Sequence, residues 1–182
     1  MDLVDLAEVL FDELAEDLPL DSFICQREPG SVDLQEFLQE EALLYQRLHI
    51  ARTVVAYHRG TAVGFFSLSA SALRLRPDGK EEIGLDVVPF SSLPAVLLGR
   101  LAVHDEYQGQ GLGKHFFLQA LGMAASAARI VGCRFLLIDA YEHRQEWYRR
   151  LGCVPNQSYK PQIHSGGVPT TVSMRFDLAP IV

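Results

Sequence analysis

Six residues, Gln108-Gly109-Gln110-Gly111-Leu112-Gly113, carry the strongest chemical signal in this chain. They stand between an apolar run, Ala95-Val96-Leu97-Leu98-Gly99-Arg100-Leu101-Ala102-Val103, and a long helical pattern from Leu112 to Val131. A glycine-dense turn that leaves a strand and opens a helix suits a phosphate ligand. Glycine lets the backbone approach an anion with no Cβ in the way. The first helical turn adds unpaired N–H groups at the positive end of the helix dipole.

Spacing separates the phosphate loops this stretch could form. A Walker loop reads G-x-x-x-x-G-K-[ST]. Here Gln108 stands in place of the first glycine, and His115 in place of the metal-binding hydroxyl, so that pattern fails. A dinucleotide loop reads G-x-G-x-x-G and usually opens its domain. Gly113 comes one residue too early for it, and the loop lies late in the chain. A plain glycine-rich connection from strand to helix would carry no chemistry at all.

A third pattern, Q/R-x-x-G-x-G/A, fits at every position. On these residues the chain resembles the GNAT superfamily of acyl-CoA-dependent N-acyltransferases. The resemblance implies that backbone amides of the loop hold the pyrophosphate of coenzyme A. It also implies that the end of the preceding strand, Leu101-Ala102-Val103, pairs with the pantetheine arm as an added strand would. The cofactor-side residues so implied are Leu101, Ala102, Val103, Gln108, Gly109, Gln110, Gly111, Leu112, Gly113 and Lys114. Acetyl-CoA is the expected co-substrate, with no metal.

A second motif lies downstream. Arg134-Phe135-Leu136-Leu137-Ile138-Asp139-Ala140 is an apolar run of strand length. Tyr141 to Leu151 then reads as a short helix, with Glu142 in its first turn, Arg149 and Arg150 in its last, and Gly152 past the end. Within it, Glu146-Trp147-Tyr148-Arg149-Arg150-Leu151-Gly152-Cys153 resembles the closing motif of the same family. The family's tyrosine falls on Tyr148, and its implied role is general acid toward the departing thiolate. A phenol with an ordinary pKa near 10 is neutral at physiological pH and can donate that proton. The alternative is a tyrosine that only packs its ring and hydrogen-bonds at the helix surface.

The chain departs from the family here. Many relatives carry Asn seven residues before the tyrosine, where this chain has Tyr141, and a small residue four before it, where this chain has Arg144. Tyr141 could donate a hydrogen bond from its hydroxyl at a different reach, so it is kept as a cofactor-side candidate without the Asn role. No carboxylate lies in the 95–103 strand to act as general base. Asp139 is a candidate, but an acid ending a strand equally often caps a helix. The base is left unassigned.

The elements that position these residues follow from pattern. Leu3, Leu6, Ala7, Leu10, Phe11 and Leu14 predict an N-terminal amphipathic helix over 3–16. Leu34, Phe37, Leu38, Ala42 and Tyr45 predict a second helix capped by Ser31 or Asp33. Residues 53–57 and 62–68 read as a hairpin joined by His58-Arg59-Gly60-Thr61. Residues 76–94 read as a loop or frayed strand pair, a candidate cover for the acceptor site. The helix 112–131 is apolar nearly all round and is expected to be buried. Pro161, Gly166, Gly167 and Pro169 mark a loop before an alternating strand, Thr171 to Leu178. This order predicts an α/β class. The resemblance makes it a GNAT fold: a mixed central β-sheet flanked by helices and splayed at the acetyl-CoA site, as a single domain over 1–182.

Composition bounds the rest. The chain has 182 residues, 48% of them hydrophobic, enough for one domain with a real core. No apolar stretch reaches membrane-spanning length, and Asp2, Asp5, Glu8, Asp12 and Glu13 do not read as a secretory signal. A cytoplasmic location without membrane contact is expected. Cys25, Cys133 and Cys153 are too few and scattered for a disulfide framework, and the six histidines make no metal pattern. The formal net charge of −7 disfavours a large nucleic-acid footprint.

The expected reaction is direct transfer of an acetyl group from acetyl-CoA to a primary amine of a small molecule or peptide, with nucleic acid disfavoured. Segments such as Gly64-Phe65-Phe66-Ser67-Leu68 and Leu98-Gly99-Arg100-Leu101-Ala102-Val103 resemble a bacterial GNAT branch. That branch includes toxins that acetylate aminoacyl-tRNA. The acidic charge places this second, and a non-catalytic acyl-CoA-binding module is a further alternative. A homodimer through the final strands is a possible assembly.

Overall fold

The computed structural model describes residues 3–16, 18, 20–156 and 171–182. The loop expected around Pro161, Gly166, Gly167 and Pro169 lies outside the described residues. Seven strands form one sheet: β1 (Leu10–Glu13), β2 (Arg52–His58), β3 (Thr61–Arg74), β4 (Ser92–Val103), β5 (Phe135–Tyr141), β6 (Val154–Pro155) and β7 (Thr171–Asp177), in the order β1-β2-β3-β4-β5-β7-β6. The pairs β1/β2, β2/β3, β5/β7 and β6/β7 are antiparallel. Neighbours β4 and β5 are joined through a 20-residue helix, the kind of crossover a parallel pair needs. The sheet is therefore mixed, as expected.

The helices are α1 (Ser31–Glu36), a π-helical turn (Phe37–Glu41), α2 (Ala42–Arg47), α3 (Pro77–Glu81), α4 (Leu112–Val131) and α5 (Gln145–Arg150). The chain divides into two compact units. The first takes Met1–Ser69 and Leu98–Ala120, and the second Ala70–Leu97 and Leu121–Val182. In the first unit the core gathers Phe23, Phe37, Leu38, Val55, Phe65 and Ala102. In the second it gathers Leu73, Leu75, Leu93, Ala95, Phe135 and Leu137.

Several expectations are met closely. The hairpin pairs Val54 with Phe66 and Val55 with Phe65. The helix after the glycine loop spans Leu112–Val131. Others are corrected. Residues 3–16 are not a helix: a 3₁₀ turn (Leu6–Glu8) leads into β1, which pairs Leu10–Glu13 with Tyr57–Val54. A helix of this length gains little alone, whereas the strand satisfies the backbone along β2. The second helix is preceded by Gly30 in a left-handed conformation rather than by a Ser or Asp cap. Segment 76–94 contains α3, and its backbone is tied down by Leu85 N–H to Lys80 C=O (2.8 Å) and Leu75 N–H to Ser91 C=O (2.9 Å). Helix α4 is amphipathic rather than buried all round: Phe116, Phe117, Ala120 and Ala124 are buried, while Leu118, Met123, Ile130 and Val131 face solvent. Among the described residues, no helix is long and apolar enough to cross a membrane.

Candidate active site

In the first unit, β4 ends at Val103 and a 3₁₀ turn (Asp105–Tyr107) carries the chain into the glycine loop. Gly109 (φ 80°) and Gly111 (φ 87°) both adopt left-handed backbone, which other L-residues reach only with strain. That conformation turns the chain directly into α4. The first bond closing the helix runs from His115 N–H to Gly111 C=O, 3.1 Å. The N–H groups of Leu112, Gly113 and Lys114 precede it and have no helical acceptor. These donors lie at the positive end of a twenty-residue helix, an arrangement that can accept an anion.

The side chains around the loop form a network that spacing did not reveal. Asp105 is buried, and its carboxylate accepts from the backbone N–H of Gln26 (3.0 Å) and Arg27 (3.4 Å) and from Gln108 Nε2 (3.0 Å). Gln108 Nε2 also donates to Val103 C=O at 3.1 Å. His104 is buried beside it: its Nδ1 accepts from Glu106 N–H at 3.1 Å, so its Nε2 carries the proton and donates to Ser22 C=O at 3.1 Å. The N–H groups of His104 and Asp105 bond to Val63 C=O (2.9 Å) and Ile24 C=O (2.8 Å), so neither is open to a thioester. Gln110 Oε1 accepts from Val4 N–H at 2.8 Å. The only sequence signal for this network is the acid three residues before Gln108.

Leu101, Ala102 and Val103 end β4, with Ala102 buried and its neighbours half-buried. The structure therefore brings this strand end and the residues 108–114 together in one unit. Tyr141 and Tyr148 belong to the second unit. Tyr141 ends β5, opposite Thr171, and its ring stacks on His143 with centroids 5.8 Å apart.

Tyr148 lies on α5 and is buried, with Trp147 packed edge-on at 4.7 Å. Burial, reinforced by the nearby Cys153, holds its phenol above the ordinary value, with Arg144 opposing. Cys153 N–H bonds to Tyr148 C=O at 3.1 Å. The Cys153 thiol is pushed up to about 12 by burial, so this corner is hostile to a sulfur anion. Asp139 sits opposite Ser173. Desolvation raises its carboxyl, and a hydrogen bond from Ser173 opposes that rise. Among the described residues, no cluster of three or more His, Cys, Asp or Glu could hold a metal ion.

Comparison with known proteins bears on this geometry. Residues 49–154 match the family described as acetyltransferase (GNAT) domain. A tRNA-acetylating toxin of Mycobacterium tuberculosis (strain ATCC 25618 / H37Rv) is 31% identical over 111 residues. That match spans 61% of this chain and 65% of the toxin, so just under two thirds of the curated relative is covered. Among solved structures, AtaT complexed with acetyl-methionyl-tRNAfMet superposes with a TM-score of 0.76 at 23% identity, covering 95% of this chain and 96% of that one. AtaTR bound with acetyl-CoA gives 0.72 at 24% identity, covering 96% of each. The fold is shared with both.

These relatives overturn one expectation. A small-molecule or peptide acceptor, with nucleic acid disfavoured by charge, does not agree with a curated relative that acetylates tRNA and a solved neighbour that carries it. The net charge of −7 is a sum over the whole chain and says nothing about how charge is distributed around a site.

Proposed function

The chain belongs to the GNAT acetyltransferase family, and from that premise we propose that its acceptor is the α-amino group of an aminoacyl-tRNA. Membership makes it an acetyl-CoA-dependent N-acyltransferase. The observation that carries the finer reading is the 31% identity to a tRNA-acetylating toxin across 111 residues. An aminoacyl-tRNA presents a primary amine, so this reading keeps the expected chemistry and changes only what bears the amine.

In this reading the loop at 108–113 and the first turn of α4 hold the coenzyme A pyrophosphate on backbone N–H groups. The end of β4 pairs with the pantetheine arm. The neutral amine attacks the thioester carbonyl, the C–S bond breaks, and Tyr148 gives its proton to the leaving sulfur. The proton shed by the amine nitrogen passes to water, from which the phenol is restored. The surroundings act on both groups. A phenol held above its ordinary pKa keeps its proton throughout the physiological range. A thiolate brought into the same desolvated corner is destabilised, as Cys153 is, and so becomes a stronger base.

The experiment supplies labelled acetyl-CoA with charged tRNA, deacylated tRNA, free amino acids, polyamines and peptides. Label is expected on charged tRNA and in the N-acetylamino acid released from it by mild base. Label on free amines alone, with charged tRNA untouched, overturns the reading.

A further inference from the structure

We propose that Asp105 is a positioning residue for acetyl-CoA binding: with Val103 C=O it takes up the donors of Gln108, so Gln108 shapes the loop instead of contacting phosphate. The proposal rests on residues 108–113 being the coenzyme A loop.

A glutamine amide has two N–H donors and one acceptor oxygen. Nε2 of Gln108 has two acceptors in reach, Val103 C=O at 3.1 Å and Asp105 Oδ1 at 3.0 Å. With both donors in use, the side chain has only its carbonyl oxygen left, and that oxygen repels a phosphate. The phosphate-facing work therefore falls to the backbone N–H groups of the loop and the first turn of α4. What Gln108 does is tie the start of the loop back onto the last residue of β4, five positions earlier.

Asp105 fixes that tie. Its carboxylate is buried and also receives the N–H groups of Gln26 and Arg27, 79 and 78 positions away. Those bonds anchor it from a distant segment, so it cannot follow the loop if the loop moves. An anionic side chain beside an anion site would ordinarily weaken the ligand. Here three N–H donors take up its charge, and burial of such a group is tolerated only with partners of this kind. An amide at 105 could keep an oxygen facing Gln108, so only removal of the carboxylate, as in Asp105→Ala, takes away the acceptor for all three N–H groups.

The test compares the full chain with Asp105→Ala, Gln108→Met and the double variant. Coenzyme A affinity is measured by calorimetry, with KM and kcat for acetyl-CoA measured alongside. Each single variant is expected to weaken coenzyme A about tenfold, with the loss in KM rather than kcat. The double variant is expected to be no worse than either single one, because both break the same tie. A role confined to stability would instead lower the folded fraction, and with it kcat, and leave the affinity of folded protein intact. Unchanged affinity in the singles, or losses that multiply to about a hundredfold in the double, overturns the proposal. Should Asp105→Ala not fold, Gln108→Met on its half-buried site reads the same affinity. Wild-type protein that fails to bind coenzyme A removes the loop assignment itself, and this proposal with it.

Discussion

The backbone N–H of Val4 donates to Oε1 of Gln110 at 2.8 Å, across 106 positions of sequence. The N-terminal segment thereby closes onto the glycine loop. Phe11 extends the contact by placing its ring 5.3 Å from His115 and 5.7 Å, edge-on, from Phe116 in the first turns of α4.

Gln110→Glu keeps the acceptor for Val4 but adds a negative charge to the loop. Amide exchange at Val4 should stay slow while coenzyme A affinity drops roughly five- to tenfold, a cost of about 1 kcal/mol. Gln110→Leu should do the reverse, speeding exchange with a smaller effect on affinity. Equal affinity losses in both variants would mean that the charge is not what matters. Hydrogen exchange and calorimetry read the two effects separately.

Tyr148→Phe removes one hydroxyl from a buried ring. Turnover should fall by about 10²- to 10³-fold, with coenzyme A affinity within about twofold of wild type. Single-turnover acetyl transfer checks it, and undiminished turnover would take the acid role away from Tyr148.

Alkaline pH should destabilise the protein through the same corner. Burial raises Cys153 from an ordinary 9.0 to about 12, and Tyr148 also stands above its ordinary 10.0. A raised acid keeps its proton in the folded chain while the unfolded chain loses it. Stability from these groups is complete below about pH 9 and is lost as pH climbs toward 12. Urea midpoints between about pH 8 and about pH 11 should fall in wild type and fall less in Cys153→Ala. Parallel curves for the two proteins would count against the assignment.

Gly64 in β3 leaves no room for a methyl group. A Cβ there would stand 2.1 Å from Phe116 Cε2 and 2.5 Å from Ala102 C=O. Gly64→Ala should cost about 1–3 kcal/mol by denaturant unfolding. It should also weaken coenzyme A, since the displaced carbonyl belongs to the end of β4. An unperturbed midpoint would show that the strand yields without strain.

Local chemistry made the loop and α4 legible in the sequence. The glycines at 109 and 111 permit left-handed backbone, and the apolar spacing after Leu112 requires a helix, so both were placed without knowing anything distant. The motif around Tyr148 was legible for the same reason, because strand, turn and short helix follow one another directly. The N-terminal strand was not. Its helical spacing of leucines is real, but Leu3 and Leu10 remain exposed, and the segment is held by its ladder with β2 instead.

The sequence by itself determined the local pieces: a glycine loop opening onto a helix, a strand leading into it, and a tyrosine on a later short helix, α5. Only the tertiary structure decided which side chains meet around that loop. Asp105 meets partners nearly eighty positions away, and Gln110 meets Val4 from the far end of the chain. Bonds of that separation leave no periodic trace, because what selects them is the folded backbone bringing donors to a buried acceptor, where an unpaired group would be costly.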